Sequence, residues 1–253
     1  RYSKIVLTQS NLTPVACNDW EYSGQVYCKL SYNNYTVDTK TVTVTINTCL
    51  HEKYTNEGKC QQCGEPCSKD VLFIRNGISY TFEGDNPEVG FILFSGGTAY
   101  FVRDTNATLK AGNGEPANKM DITLDLQGHK VKTLDLQNFP YNSVTIKNGT
   151  INDIATSAPA VLILDSVTTG GEAWSKLFTL TVKGDCVFKS QVNFLGKTQL
   201  HGGTFQRGIN AALGEEALAL LADGYAFADA NSNEILNVSN ADVDIANSAV
   251  KVV

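Results

Sequence analysis

The residues best equipped to do chemistry in this chain are its cysteines. Six of the seven fall between residues 17 and 67, and the densest group reads Cys49-Leu-His51, eight residues, Cys60-Gln-Gln-Cys63-Gly, with Cys67 just beyond. Thiolate and imidazole donors set two or three apart on tight knuckles suit a closed tetrahedral zinc site. Cys49, His51, Cys60 and Cys63 are therefore expected to hold a structural zinc ion, in a segment too poor in apolar residues to fold by burial alone. Two disulfides among Cys49, Cys60, Cys63 and Cys67 are the competing reading, natural in a secreted protein. A redox role for Cys-x-x-Cys finds no βαβ pattern around it. Cys17 and Cys28, with ten residues between them, are expected to pair as a disulfide across a hairpin or loop. Cys186 stands alone in an apolar phrase and reads as a small core residue.

Carboxylates are the second source of chemistry. Cleaving a polysaccharide needs two of them at a defined separation, or an acid cluster holding calcium beside an Arg or Lys base. Asp125 and Asp135 follow alternating leucines and should point outward, while Asp165 and Asp185 sit at turns, where local hydrogen bonding explains an acid. Arg103 and Arg207 are isolated. His129 and His201 occupy repeat positions two residues apart, as surface side chains would. The Gly-Gly pairs at 96, 170 and 202 lack the Lys-Ser/Thr of a phosphate loop. The chain is read as non-enzymatic.

The elements that must carry these residues announce themselves as a repeat. An apolar residue, a polar one, a Gly/Asn/Asp turn and a second apolar residue recur in Leu126-Gln-Gly-His-Lys-Val131, Ile146-Lys-Asn-Gly-Thr-Ile151, Val182-Lys-Gly-Asp-Cys-Val187 and Leu200-His-Gly-Gly-Thr-Phe205, with a degenerate copy at Ile163-Leu-Asp-Ser-Val167. Their first positions are 20, 17, 19 and 18 residues apart. Such a period describes units that bury their apolar faces only by stacking, and the expected fold is all-β, a right-handed parallel β-helix over 69–253. Residues 71–120 should supply its first coils and a cap. Gly214 to Asp223 reads as one short helix, and Val238 to Val243 and Ile245 to Val250 as two last copies of the phrase. Upstream, period-two alternation in Lys4 to Thr8, Gln25 to Ser31 and Lys40 to Ile46 predicts half-buried antiparallel strands over 1–48, leaving 49–68 as a Cys/His linker.

Composition narrows the partners. With 42% hydrophobic and 18% charged residues among 253, the chain can bury a large core. A net charge of −6 argues against nucleic acid and anionic membrane, which demand clustered Lys and Arg. No apolar stretch is long enough to span a bilayer as a helix. The chain opens at Arg1 without Met or a signal peptide and is expected to be a piece of a longer protein.

Gly24 to Cys28, followed by the Thr-Val-Thr-Val of 41–44, resembles the last two strands of bacterial immunoglobulin-like repeats, over about half such a domain. It departs from that pattern in placing Tyr27 next to Cys28, where a tyrosine corner would stand at Val26. Asp121 to Val131 and Gly202 to Phe205 with Leu220 to Phe227 resemble phrases of the pectate-lyase-like β-helices in large surface proteins of gut Firmicutes, and the Cys/His stretch is similar to the linkers those proteins carry. The resemblance implies an extracellular, cell-surface location and an adhesin-like role. The expected ligands are host glycans or host proteins, secreted immunoglobulin among them. Aromatic residues in loops are the expected contacts: Trp20, Tyr22, Phe91, Phe94, Tyr100, Phe101 and Trp174.

Overall fold

The computed structural model describes residues 13–14, 21–26, 29–32, 35–38, 42–47, 51–85, 87–89, 96–110, 121–135, 143–155, 161–170, 173–174, 179–194 and 196–253. The chain divides into two compact units, Arg1–Lys53 with Cys60–Glu65, and Tyr54–Lys59 with Pro66–Val253.

In the first unit, strand β1 (Thr13–Pro14) pairs antiparallel with β2 (Glu21–Val26), which pairs antiparallel with a later strand, β5 (Val42–Asn47). Between them β3 (Lys29–Tyr32) and β4 (Tyr35–Asp38) form a separate antiparallel pair. The alternating run at 25–31 is thus not one strand. Its two ends belong to β2 and β3, in different sheets. The run at 4–8 and both Cys17 and Cys28 lie outside the described residues.

The second unit opens with β6 (Val71–Arg75) and β7 (Ile78–Phe82), an antiparallel hairpin with Arg75 opposite Ile78. Asn76 and Gly77 form its two-residue loop with φ of 50° and 73°. Both positive values belong to the type I′ turn, whose twist matches that of the strands it joins, and Asn-Gly is the pair that adopts it most readily.

From there the strands stack in parallel. On one face β8 (Gly97–Phe101), β10 (Asp121–Asp125), the first half of β12 (Ser143–Ala155), the first half of β13 (Val161–Thr169), β15 (Thr179–Lys183) and β18 (Thr198–His201) follow one another. A second face is built by β9 (Thr105–Lys110), β11 (Lys130–Asp135), the second halves of β12 and β13, β16 (Val187–Phe188) and β19 (Thr204–Phe205). Short strands β14 (Ala173–Trp174) and β17 (Asn193–Phe194) pair in parallel on a third side. The expected parallel β-solenoid is therefore present.

Period two decides what each rung buries. Leu124, Ile146, Leu164, Val182 and Leu200 lie in register, one directly above the next, and all are buried. On the second face Val131, Ile151, Thr169, Phe188 and Phe205 do the same, with the rings of Phe188 and Phe205 stacked 4.7 Å apart. This register corrects the phrase. Its first copy starts at Leu124 rather than Leu126 and its degenerate copy at Leu164 rather than Ile163, which makes the last three intervals 18 residues each.

The ends differ from the expected coils. At the start β6 lies antiparallel against β8, so the hairpin caps the stack. At the end β21 (Val250–Val252) lies antiparallel against β19 and against β20 (Phe227–Asp229). The two expected C-terminal copies of the phrase, at 238–243 and 245–250, are instead a series of turns that ends where β21 begins at Val250. Asn237, Asn240 and Asp244 each accept backbone N–H groups two or three residues on, and such local bonds compete with a strand ladder. The helix shortens to α1 (Glu215–Leu218). Beyond it the chain turns to pair with β18, where the Leu200 N–H donates to the Leu220 carbonyl and the Ala222 N–H to the Leu200 carbonyl.

Candidate functional site

Three of the four expected metal ligands come together. The turn at 60–65 is closed by the Cys60 N–H donating to the Glu65 carbonyl at 2.7 Å and the Gly64 N–H donating to the Cys60 carbonyl at 2.9 Å. Gly64 has φ of 79°, a value that a Cβ would strain, which is why Gly follows the second cysteine. His51 reaches this knuckle because the Gln61 N–H donates to the Lys53 carbonyl at 2.9 Å, tying its segment to the turn. His51 itself has φ of 53°, a conformation that costs a non-glycine residue energy and gathers at functional sites. The donor atoms of His51, Cys60 and Cys63 all lie within 4.8 Å of one another, with Cys63 Sγ 3.9 Å from His51 Nδ1. A tetrahedron of zinc–sulfur and zinc–nitrogen bonds has edges of about 3.6–3.8 Å, so the donor set and its spacing fit a metal ion.

Cys49 lies outside the described residues. Cys67 does not join the group. Its N–H donates to the Gly58 carbonyl and its carbonyl accepts from Arg103 Nη1. Cys63 and Cys67 carry free thiols. Cys186 is buried as a core residue, with the Val167 N–H donating to its sulfur at 3.3 Å. Burial is the main force pushing its thiol pKa up, which holds it in the unreactive form.

The outward carboxylates are arranged by stacking. Along the first face the residue after the buried apolar position is Tyr100, Asp125, Lys147, Asp165, Lys183 and His201 on successive rungs, each paired with the next. Lys147 Nζ stands 3.2 Å from Asp125 and Lys183 Nζ 3.3 Å from Asp165. Asp125 was expected to face solvent, yet it is 7% exposed. Lys147 and Asn148 of the next rung cover it, and it also accepts the Gln127 N–H. His129 faces Asp104, and the His201 ring meets the edge of Tyr225, so the two histidines do not meet.

Of the expected aromatic contacts, Tyr100 is exposed at 42%. Phe101 is not available, because alternation turns it inward, where it is buried against Phe73. Trp174 lies on β14 opposite Phe194, and Tyr22 on β2 opposite Ile46. Trp20, Phe91 and Phe94 lie outside the described residues. Sequence reasoning missed the setting of Tyr100, an open groove of about 560 Å³ lined by Asn56, Ile74, Asn76, Gly77, Thr98, Tyr100 and Gln127. The Asn-Gly turn marked one wall of it, but only the stacking of β6 and β10 on either side of β8 gathers the rest.

Among the described residues no helix is long and apolar enough to cross a membrane. In comparisons with known proteins, no family model, curated protein or solved structure matches this chain.

Proposed function

We propose that this chain is a non-enzymatic binding module of a bacterial cell surface, in which the β-solenoid is the rigid frame and recognition lies on its outward side chains and loops. One observation carries the reading. Asp125 and Asp165 stand on the outward ladder where a polysaccharide-cleaving β-helix would need cooperating acids, and each is engaged by a lysine of the next rung. With a lysine on each, and Asn148 and the Gln127 N–H on Asp125 as well, their oxygens are already taken by neighbouring groups rather than facing one another across an open cleft. The same ladder also presents an exposed aromatic residue, Tyr100, of the kind that anchors interfaces and sugars. The resemblance of residues 121 to 230 to surface β-helices agrees with this role and suggests host glycans or host proteins as ligands.

The same reading makes the metal zinc, held by His51, Cys60 and Cys63 with Cys49 as fourth ligand. A full tetrahedral shell leaves no open position for substrate, so the ion stabilises its segment rather than acting on a ligand.

Screening the folded chain on glycan and host-protein arrays, alongside a reducing-end assay on acidic polysaccharides, tests the proposal. Saturable array binding without new reducing ends is the expected result. Turnover of a polysaccharide, or no binding to any ligand with the fold intact, overturns it.

A further inference from the structure

We infer that the groove around Tyr100 is a subsite for an uncharged sugar ring. This rests on the reading of the chain as a binding module and adds a place and a ligand class to it.

The outward ladder of the first face alternates in charge over most of its length. Four of its six rungs carry an Asp or a Lys, and the last carries His201. The rung at Tyr100 breaks the alternation with a ring. That ring is 42% exposed on a backbone held from both sides, with Ile74 of β6 opposite it on one edge and Asp125 of β10 on the other. A solvent-facing tyrosine so fixed offers a flat apolar face at little cost in side-chain freedom, and such faces stack on the C–H groups of pyranose rings.

The rest of the lining agrees. Apart from Ile74 and Gly77, the residues beside the ring are Asn56, Asn76, Thr98 and Gln127, which present amides and a hydroxyl. These groups match sugar hydroxyls as both donors and acceptors. None of the seven lining residues is an acid, a lysine, an arginine or a histidine. A uronic acid or sialic acid would find no cation among these seven described residues to offset its charge, whereas a neutral hexose or N-acetylhexosamine loses nothing by that.

The groove is also preformed. Asn76 is set by the type I′ turn. Gln127, at φ of 47°, is pinned by its side-chain Nε2 donating to the Phe101 carbonyl at 2.8 Å and by its N–H donating to Asp125. The volume of about 560 Å³ lies within the usual span of small-ligand sites, about 300–1,000 Å³, and leaves room for more than one ring.

The test is titration of the full chain, followed by amide chemical shifts, with N-acetylglucosamine, galactose and mannose as mono- and trisaccharides and with trigalacturonate as the acidic comparison. A neutral sugar should bind and shift the amides of residues 76, 98, 100 and 127. Tyr100→Ala should weaken it by at least about tenfold, and Tyr100→Phe by no more than about threefold. Tyr100→Lys guards against a folding artefact. It restores charge alternation opposite Asp125 and should fold as the parent does, yet lose the sugar. Neutral-sugar binding that survives Tyr100→Ala and Tyr100→Lys overturns the site. Tighter binding of trigalacturonate overturns the uncharged class. If no sugar binds while a host protein does so on the array, the sugar subsite fails and the binding-module reading stands; if nothing binds in either experiment, both fail.

Discussion

At the scale of single residues, the chemistry lies in the knuckle and in a few carboxylates. Purified without added metal, the chain should carry close to one zinc ion. His51→Ala and Cys63→Ser should each lower its metal content and the stability of the segment, because a missing ligand costs binding energy that is also folding energy. Mass analysis showing disulfides at these cysteines instead of zinc would refute the centre. Asp104 makes a pH prediction. The Lys130 N–H donating to its carboxylate at 3.1 Å, and after it the neighbouring His129, hold its pKa below the ordinary aspartate value. A carboxyl lowered in the folded state contributes stability above its unfolded pKa, and this is lost as the pH falls through the folded value. Asp229 is lowered chiefly by the N–H groups of Ser232 and Asn231, and Asp244 chiefly by the Asn247 side-chain amide and then the Asn247 N–H. Stability should therefore fall below about pH 4, and Asp104→Asn should show a smaller loss of Tm on acidification than the parent. The knuckle was legible in the sequence because its geometry is local, a matter of spacing and one glycine. The burial of Asp125 was not, because it depends on which residues of the next rung cover it.

At the scale of elements, register decides what a turn tolerates. Asp125 lies opposite Lys147 and Lys130 opposite Thr150, so four residues, 126–129, bridge a span that the next rung crosses with two, 148–149. The surplus folds against Gly149. A Cβ there would stand 2.4 Å from the Leu126 Cβ and 2.6 Å from the His129 carbonyl oxygen. Gly149→Ala should destabilise the unit by about 1–3 kcal/mol, readable as a lower denaturant midpoint with an unchanged slope; no loss would mean that the 126–129 turn yields freely. The ladder is tested by Asp125→Ala, which leaves Lys147, Asn148 and the Gln127 N–H without their shared acceptor and should cost about 1–3 kcal/mol. Lys147→Ala, removing the more exposed partner, should cost no more than about 1 kcal/mol. The repeat itself could be read from composition and period, yet the starting residues of its first and third copies could not. Apolar residues two apart, such as Leu124 and Leu126, fit the phrase equally well, and only pairing across rungs tells them apart.

At the scale of the solenoid unit, the stack has to be closed. A parallel stack shows bare backbone N–H and carbonyl groups at its end rungs, a template for adding another chain. Here the parallel order stops where antiparallel strands take over, at β6 with β7 on one end and at β21 with β20 on the other. Sequence reading extended the parallel phrase to residue 250, because Asn and Asp between small apolar residues look the same in a solenoid turn and in a chain of side-chain-capped turns. The closing strands also bury Phe227, Ala228, Val250 and Val252, so the cap is part of the core as well as a cover for the edge. Removing residues 224–253 should therefore do two things at once. It should lower Tm, through the lost apolar burial, and it should produce concentration-dependent association, through the uncovered edge of β19 and the exposed Phe205. Light scattering over a dilution series separates these effects. A truncated chain with lower Tm but unchanged mass would assign the cap to core burial alone, whereas growth in mass with concentration marks it as what keeps one stack from continuing into another.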